Sequence, residues 1–369
     1  MGRDVAGYQL IILLVNYLVM KLINKINIKK LIPLFLFLAT LGIGIYLVWG
    51  RQGTTLEVKN SSQAPGGSLT TVDPNLPQSP ISGLNCADAS RRPIAVIFGN
   101  DAEARPLSGI SEADMVFEMQ IVEKLITRIM AVYVCGNPKE LGSIRSARED
   151  FIPLARGLDA ILVHWGGEHT ALEKLNAGIM DNLDGLKDEV VNFFRKAGIL
   201  SPHNGFSSMT RLIRGAGKKG YSLENKFIGY PHLADRSIQN KAMTLTIGYS
   251  GQYAVKYDYD PANNFYLRWR GGTKEIDKNN GQQVAAKNVV IMSASSQAIS
   301  EQYNTVQIEG EGKATVYQNG QEIAATWKKD AKDQTSKLFF YDSKGQEIKF
   351  VPGQIWVEIV DPSQNIIWK

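Results

Sequence analysis

The stretch that decides the predicted fold is GSIRSAREDFIPLARGLDAILVHWGGEHTAL, residues 142–172. Within it, SAREDFIPLARGL has apolar residues at helical spacing, and DAILVHWGG is an apolar run that ends in a glycine turn. EHTALEKLNAG then predicts a second helix, closed by Gly178. A strand between two helices favours an α/β layered fold.

The flanking segments extend this pattern. PIAVIFGN (93–100), ADMVFEMQ (113–120) and ITRIMAVYVC (126–135) are rich in β-branched and apolar residues and predict strands. SSMTRLIRGAG predicts a further helix, with Ser207 as candidate N-cap. The sequence therefore predicts a layered α/β sandwich as the N-terminal domain, over residues 86–235.

Residues 240–362 differ in character, because short alternating runs and turn signals replace the helical spacing. The Asn-Gly pair in YQNGQE predicts a tight hairpin, and YDSKGQE predicts a second turn of this kind. We expect a mainly-β C-terminal domain that contains at most one short helix.

The N-terminal region predicts a membrane anchor. Residues 31–49 are a 19-residue run without charge, long enough to cross a bilayer as one transmembrane helix. Lysines cluster before it, which predicts an uncleaved signal anchor with residues 1–30 in the cytosol and the body outside. Residues 50–85 are rich in Gly, Ser, Thr and Pro and predict a flexible stalk.

A shorter apolar run, YQLIILLVNYLVM, precedes this anchor. Either translation begins at Met20 and the run is not made, or the run is a short span or an interfacial helix. Both alternatives leave the following lysines in the cytosol. The predicted location is therefore the bacterial cytoplasmic membrane, crossed once, with the C-terminal body outside the cytoplasm.

The charge distribution excludes one class of partner. The formal net charge is +5, but residues 1–30 carry five basic side chains against one acidic side chain, so the remainder is near +1. A nucleic-acid-binding protein needs a strongly basic face, and none is predicted here.

The chain has two cysteines, Cys86 and Cys135. Cys86 precedes the first predicted strand of the body and Cys135 ends the third. An extracytoplasmic location permits a disulfide between them. The alternative is a pair of buried free thiols.

Three arginines carry the clearest chemical signal. Arg145 and Arg148 lie at a predicted strand-to-helix junction, and Arg128 lies in a neighbouring predicted strand. Guanidinium groups bind phosphate or carboxylate through two parallel hydrogen bonds, and strand ends of open α/β sheets collect ligands. The alternative is that the arginines form internal salt bridges with the nearby acidic residues Asp114, Glu118, Glu149 and Asp150.

The loop after the next strand, HWGGEH, adds His164 and Glu168, and the run SPHNG adds His203 and Asn204. We expect these four residues to lie near the arginines in an anion-binding site. His164 and Glu168 are also candidate general acids or bases, although no hydrolase or nucleophile motif accompanies them. The histidine spacing fits no metal motif and GAGKKG fits no phosphate loop, so neither a metal nor a cofactor is predicted.

These segments, together with FYLRWRGG and FVPGQIWVEIV in the C-terminal part, resemble the YerB-like lipoprotein family over residues 86–362, in order. The resemblance implies a membrane-tethered, extracytoplasmic bacterial envelope protein with two domains of unknown function and an α/β sandwich first domain. This chain departs from that pattern in having an apolar span where lipoproteins have a lipidated cysteine. The order of SEADMVFEMQ and GSIRSARED is also loosely similar to LytR-CpsA-Psr ligases, too loosely to transfer residues.

Three hypotheses about function follow. The first is binding of an anionic cell-envelope ligand at the arginines. The second is an enzyme that modifies cell-wall polymer, a hydrolase or a glycopolymer transferase. The third is a scaffold that binds a protein partner.

Overall fold

The structure, a computed structural model, describes residues 74–122, 126–236, 241–300 and 303–369. Residues 63–369 form one compact unit. The predicted cytosolic segment 1–30, the predicted anchor 31–49 and most of the predicted stalk lie outside the described residues. Within the part of the chain that is described, no helix is long and apolar enough to span a bilayer.

A ten-stranded sheet organises the body. It follows the order β19-β18-β17-β14-β20-β2-β3-β1-β5-β6. Its strands are β1 Ile94–Gly99, β2 Met115–Gln120, β3 Thr127–Tyr133, β5 Ile161–His164, β6 Asn182–Asp184, β14 Asn288–Ser293, β17 Gly310–Gln318, β18 Gln321–Lys329, β19 Phe339–Asp342 and β20 Ile355–Val360.

The strands β1, β2, β5, β6, β14 and β20 run in the same direction, and β3 runs against β1 and β2. The carboxyl ends of these six strands therefore lie on the same side of the sheet, together with that of β18, which is antiparallel to β17 as β17 is to β14.

Both faces of the large sheet are buried at the central strands β1, β2, β3, β5 and β20, which explains why these strands read as continuous apolar runs. One face packs on helices α1 Phe151–Gly157 and α2 His169–Asn176. The opposite face packs on α4 Met209–Lys218 and on a second, six-stranded sheet. Helix α3 spans only Glu189–Asn192.

The second sheet has the order β12-β11-β10-β9-β21, with β13 beside β11. Its strands are β9 Thr244–Ile247, β10 Val255–Asp260, β11 Phe265–Arg270, β12 Thr273–Lys274, β13 Ala285–Ala286 and β21 Ile366–Trp368. Two small elements complete the fold: the three-stranded sheet of β4 Leu141–Gly142, β8 Gly205–Ser207 and β7 Phe194–Arg195, and the hairpin of β15 Ser296–Ser300 and β16 Tyr303–Val306.

The predicted fold class, a layered α/β sandwich followed by a mainly-β domain, is wrong. The described residues are mostly β-sheet with short helices, and the large sheet draws strands from both halves of the chain. The reason lies in β20, which pairs in parallel with β2 on one side and with β14 on the other. The predicted domain boundaries at 86–235 and 240–362 stay a prediction.

Several local predictions are confirmed. The disulfide joins Cys86 to Cys135. The Asn-Gly turn joins β17 to β18, and Asn319 and Gly320 both adopt the positive φ that this hairpin turn requires. The predicted N-cap of α4 is wrong by one residue. The N-cap is Ser208, not Ser207, and the Ser208 hydroxyl accepts a hydrogen bond from Arg211 N.

Candidate functional site

The candidate site lies where β1, β2 and β5 end and β3 begins. The segment 144–148 passes these strand ends and is held by backbone hydrogen bonds to both β1 and the β5 loop. Arg145 N donates to Ile97 O at 2.9 Å, and Ala147 N donates to Gly166 O at 3.0 Å. The run that carries two of the predicted arginines is thus fixed at the sheet edge that favours ligand binding.

Arg128 is the first arginine of this site. It lies in β3 between Gly99 of β1 and Met119 of β2, and it is only 3% exposed. Its Nε and Nη1 atoms have no hydrogen-bond partner among the described residues. Burial, together with repulsion by the nearby Arg145 and Arg148, lowers the pKa of Arg128 to about 9. Arg128 therefore carries a buried positive charge whose donors remain available.

Arg145 lies beside Arg128. Its stem crosses β1 at Gly99, where a Cβ atom would come within 2.8 Å of Arg145 Cγ. Its Nη1 atom donates to Asp101 Oδ2 at 3.2 Å and to His203 Nδ1 at 3.0 Å. Burial and the neighbouring Arg145 lower the pKa of His203. Because a guanidinium can only donate, Nδ1 of His203 is the acceptor of the hydrogen bond from Arg145.

Arg148 is the third arginine of this site. Its guanidinium lies 5.2 Å from the ring centre of Tyr303, a geometry that stabilises a cation. Its Nε is 3.7 Å from Glu168 Oε2, and Glu168 Oε1 accepts from Glu149 N at 2.6 Å. Burial raises the pKa of Glu168. Helix α1 begins at Phe151 and has only seven residues, so the arginine side chains, rather than a helix end, provide the positive charge.

The structure brings together five predicted site residues: Arg128, Arg145, Arg148, Glu168 and His203. It places His164 elsewhere, buried at the end of β5, with Nδ1 2.7 Å from Gly166 O and Nε2 3.2 Å from Asn182 Oδ1. Asn204 follows His203 in the chain, but its Oδ1 accepts from Arg195 Nη1 at 3.1 Å.

Sequence reasoning missed four residues at the site. Asp101 and Arg105 lie in the segment that follows β1, so their position after a strand end was a usable signal. Tyr253 and Tyr303 come from distant segments and carried none. Tyr253 donates its hydroxyl hydrogen to Asp101 Oδ1 at 3.3 Å, and the Arg105 guanidinium lies 6.0 Å from the Tyr253 ring centre.

A second charged group, in which every member forms at least one ion pair, lies between the two sheets. Glu118 of β2 and Glu358 of β20 are register partners, and Arg268 of β11 forms ion pairs with both. Arg270 pairs with Glu118 and with Glu275, and burial opposed by both arginines leaves the pKa of Glu275 at about 2. Burial, together with the adjacent Glu118, raises the pKa of Glu358 to about 7.

This group adjoins the arginine site. Thr127, the residue before Arg128, donates its hydroxyl hydrogen to Glu118 Oε1 at 2.6 Å.

In the described ranges, no group of three or more His, Cys, Asp and Glu side chains is arranged to hold a metal ion.

Fold and site define a two-sheet, mainly-β protein with a cluster of three arginines at the carboxyl ends of its central strands. The family domains described as "Protein of unknown function (DUF3048) N-terminal domain" and "C-terminal domain" match residues 81–222 and 245–357. "Putative lipoprotein YerB" of Bacillus subtilis (strain 168) is 32% identical over 292 residues, which cover 77% of this chain and 86% of the relative.

A crystal structure of the YerB protein from Bacillus subtilis superposes with a TM-score of 0.71 at 30% identity, covering 79% of this chain and 99% of that one. The chain therefore belongs to the YerB family, whose two domains are of unknown function. The predicted resemblance is confirmed.

One prediction is corrected by the same comparison. The relative is described as a lipoprotein, which conflicts with the predicted transmembrane signal anchor. The predicted single span at residues 31–49 lies outside the described residues.

Proposed function

We propose that this protein is an extracytoplasmic, envelope-associated protein that binds an anionic ligand at Arg128, Arg145 and Arg148. The description of its relative as a lipoprotein supports an envelope association. The observation that carries the proposal is the buried Arg128 guanidinium, with two donors unpartnered among the described residues.

The energetic argument favours a ligand over a purely internal role. A buried donor without a partner costs about 1–3 kcal/mol, and more when it is charged. Asp101 and Glu168 offset part of the positive charge, but each already accepts other hydrogen bonds: Asp101 from Arg145 and Tyr253, and Glu168 from Glu149 N. An anion at this position would satisfy the Arg128 donors and relieve the repulsion among the three arginines.

The enzymatic alternative would use His164 or Glu168. Both ring nitrogens of His164 already have partners within the fold, so the geometry gives it no role beside the arginines. The scaffold alternative stays a prediction.

The compact unit, residues 63–369, is suited to the test. It contains both hydrophobic cores, and the crystal structure of the relative aligns 99% of its chain with 79% of this one. Binding of inorganic phosphate would be measured by titration calorimetry, and binding of an anionic wall glycopolymer by pull-down.

The variant Arg145→Ala/Arg148→Ala should lose both kinds of binding, roughly 100-fold, since each charge-assisted hydrogen bond contributes about 1.5–3 kcal/mol. Arg156→Ala is the matched control, because Arg156 lies on α1 and donates to Gln334 at 2.7 Å, outside the site. A folded wild-type protein that binds neither probe would contradict the proposal, as would equal losses in the control.

A further inference from the structure

Three exposed aliphatic side chains belong to loops that contact the arginine site or follow the same strand ends. Among the described residues, the most exposed large hydrophobic side chains include Leu200 at 86%, Ile299 at 69% and Leu186 at 61%. Scattered single apolar residues are ordinary on a surface. These three require an explanation because all of them lie at the same edge of the large sheet as the arginines.

Leu200 belongs to the loop that delivers His203. Leu200 O accepts a hydrogen bond from His203 N at 2.9 Å, and the His203 ring contacts Arg145 at 3.0 Å. Leu200 is therefore joined by a tight turn to His203, which contacts Arg145.

Ile299 belongs to β15 of the hairpin that delivers Tyr303 to Arg148. This hairpin follows the carboxyl end of β14 and is held at the sheet edge by Asn304 N, which donates to Ile121 O at 3.3 Å. Leu186 follows the carboxyl end of β6, and its side chain reaches to 2.9 Å from where a Cβ atom on Gly166 would lie.

We propose that the ligand is the phosphate headgroup of an anionic phospholipid, bound while this edge of the protein docks on a membrane surface. This inference rests on the proposed function and names its ligand class. The arginines would hold the headgroup phosphate, and Leu186, Leu200 and Ile299 would enter the boundary between headgroups and acyl chains. Positive charge from the arginines, combined with the exposed apolar side chains of Leu186, Leu200 and Ile299, matches the pattern of interfacial membrane binding.

The test is co-sedimentation of residues 63–369 with vesicles of phosphatidylglycerol or of phosphatidylcholine. Titration with inorganic phosphate runs in parallel and separates binding of the headgroup from binding of a free anion. Wild-type protein should bind phosphatidylglycerol vesicles and phosphate, and should bind phosphatidylcholine vesicles at least tenfold more weakly.

Leu200→Ser/Ile299→Ser should weaken vesicle binding by about tenfold per side chain, while its affinity for phosphate stays unchanged. Ile228→Ser is the matched control, because Ile228 is 79% exposed but neighbours Phe227 and Gly229 outside the site loops. Its vesicle binding should equal that of the wild type.

Two outcomes would overturn the inference and leave the proposed function intact: phosphate binding without vesicle binding, or vesicle binding by the double serine variant that equals wild type. Arg128→Met separates the two claims. We expect it to lose both phosphate and vesicle binding, and retention of both would refute the proposed function itself.

Discussion

Replacing Arg128 by methionine should make the protein more stable while it abolishes anion binding. Methionine keeps an unbranched apolar stem, is shorter than arginine, and removes the charge and the donors. Arg128 is buried, and its Nε and Nη1 have no partner among the described residues, so the native structure gains little from the guanidinium.

The magnitude follows from the lowered pKa of Arg128. A pKa of about 9 in place of 12.5 means that holding the charged form in the fold costs about 5 kcal/mol, an upper bound. The cavity left by the shorter side chain and the lost interaction with Asp101 offset about half of this. We therefore expect Arg128→Met to raise the free energy of unfolding by about 1–3 kcal/mol at pH 7.

The assay is urea unfolding of residues 63–369, with the midpoint and the slope fitted together so that a change in compactness is separated from a change in stability. Phosphate at about 100 times its Kd should stabilise the wild type by about 2.7 kcal/mol and the variant by nothing. Arg145→Met is the comparison, because it breaks the 3.2 Å pair with Asp101 and should not stabilise. A variant destabilised by 1 kcal/mol or more would mean that Arg128 is a satisfied structural residue.

Three further predictions concern stability and the enzymatic alternative. Burial raises the pKa of Asp150 to about 7 from 3.8, so its contribution to stability is fully present below about pH 4 and is lost as pH rises through about 7. Asp150→Asn should flatten that decline, by about 1–2 kcal/mol for this half-buried group, and an unchanged pH profile in urea unfolding would contradict it. Cys86→Ala/Cys135→Ala should lower the free energy of unfolding by about 4 kcal/mol, since the disulfide joins residues 49 positions apart, and a reductant should destabilise only the wild type. His164→Ala should cost about 2–4 kcal/mol in urea unfolding with no change in phosphate affinity, whereas lost affinity at unchanged stability would give His164 a role in the site.

The local elements of the N-terminal half could be predicted because their signals are local. β1, β2, β3 and α1 follow from apolar periodicity and flanking polar residues, and the β17–β18 hairpin follows from Asn319 and Gly320. The partners of β20 could not be predicted in this way. Its buried run fits any central strand, and only tertiary packing places it between β2 and β14.

The candidate site shows the same difference between residues with a local sequence signal and residues placed only by tertiary packing. Arg128, Arg145 and Arg148 were predictable because each lies beside a strand end, where ligand sites form in open sheets. Tyr253 and Tyr303 reach the site from elements more than 100 residues away, and no local pattern signals such a contact.

The two buried arginine environments give the strongest reason to regard the edge site as a binding site. At Arg268, burial is outweighed by ion pairs with Glu118, Glu275 and Glu358, and the pKa rises above its usual value. At Arg128 the same residue type is also buried, but its pKa falls, because burial and repulsion by Arg145 and Arg148 outweigh the attraction of Asp101. Between the two sheets, each guanidinium nitrogen of Arg268 has a carboxylate or hydroxyl partner, whereas the neighbouring Arg270 is paired with Glu118 and Glu275 and leaves only Nη1 without a partner. A guanidinium left unpaired at the sheet edge costs stability that a structural role does not require, and an anionic ligand is the partner that would recover it.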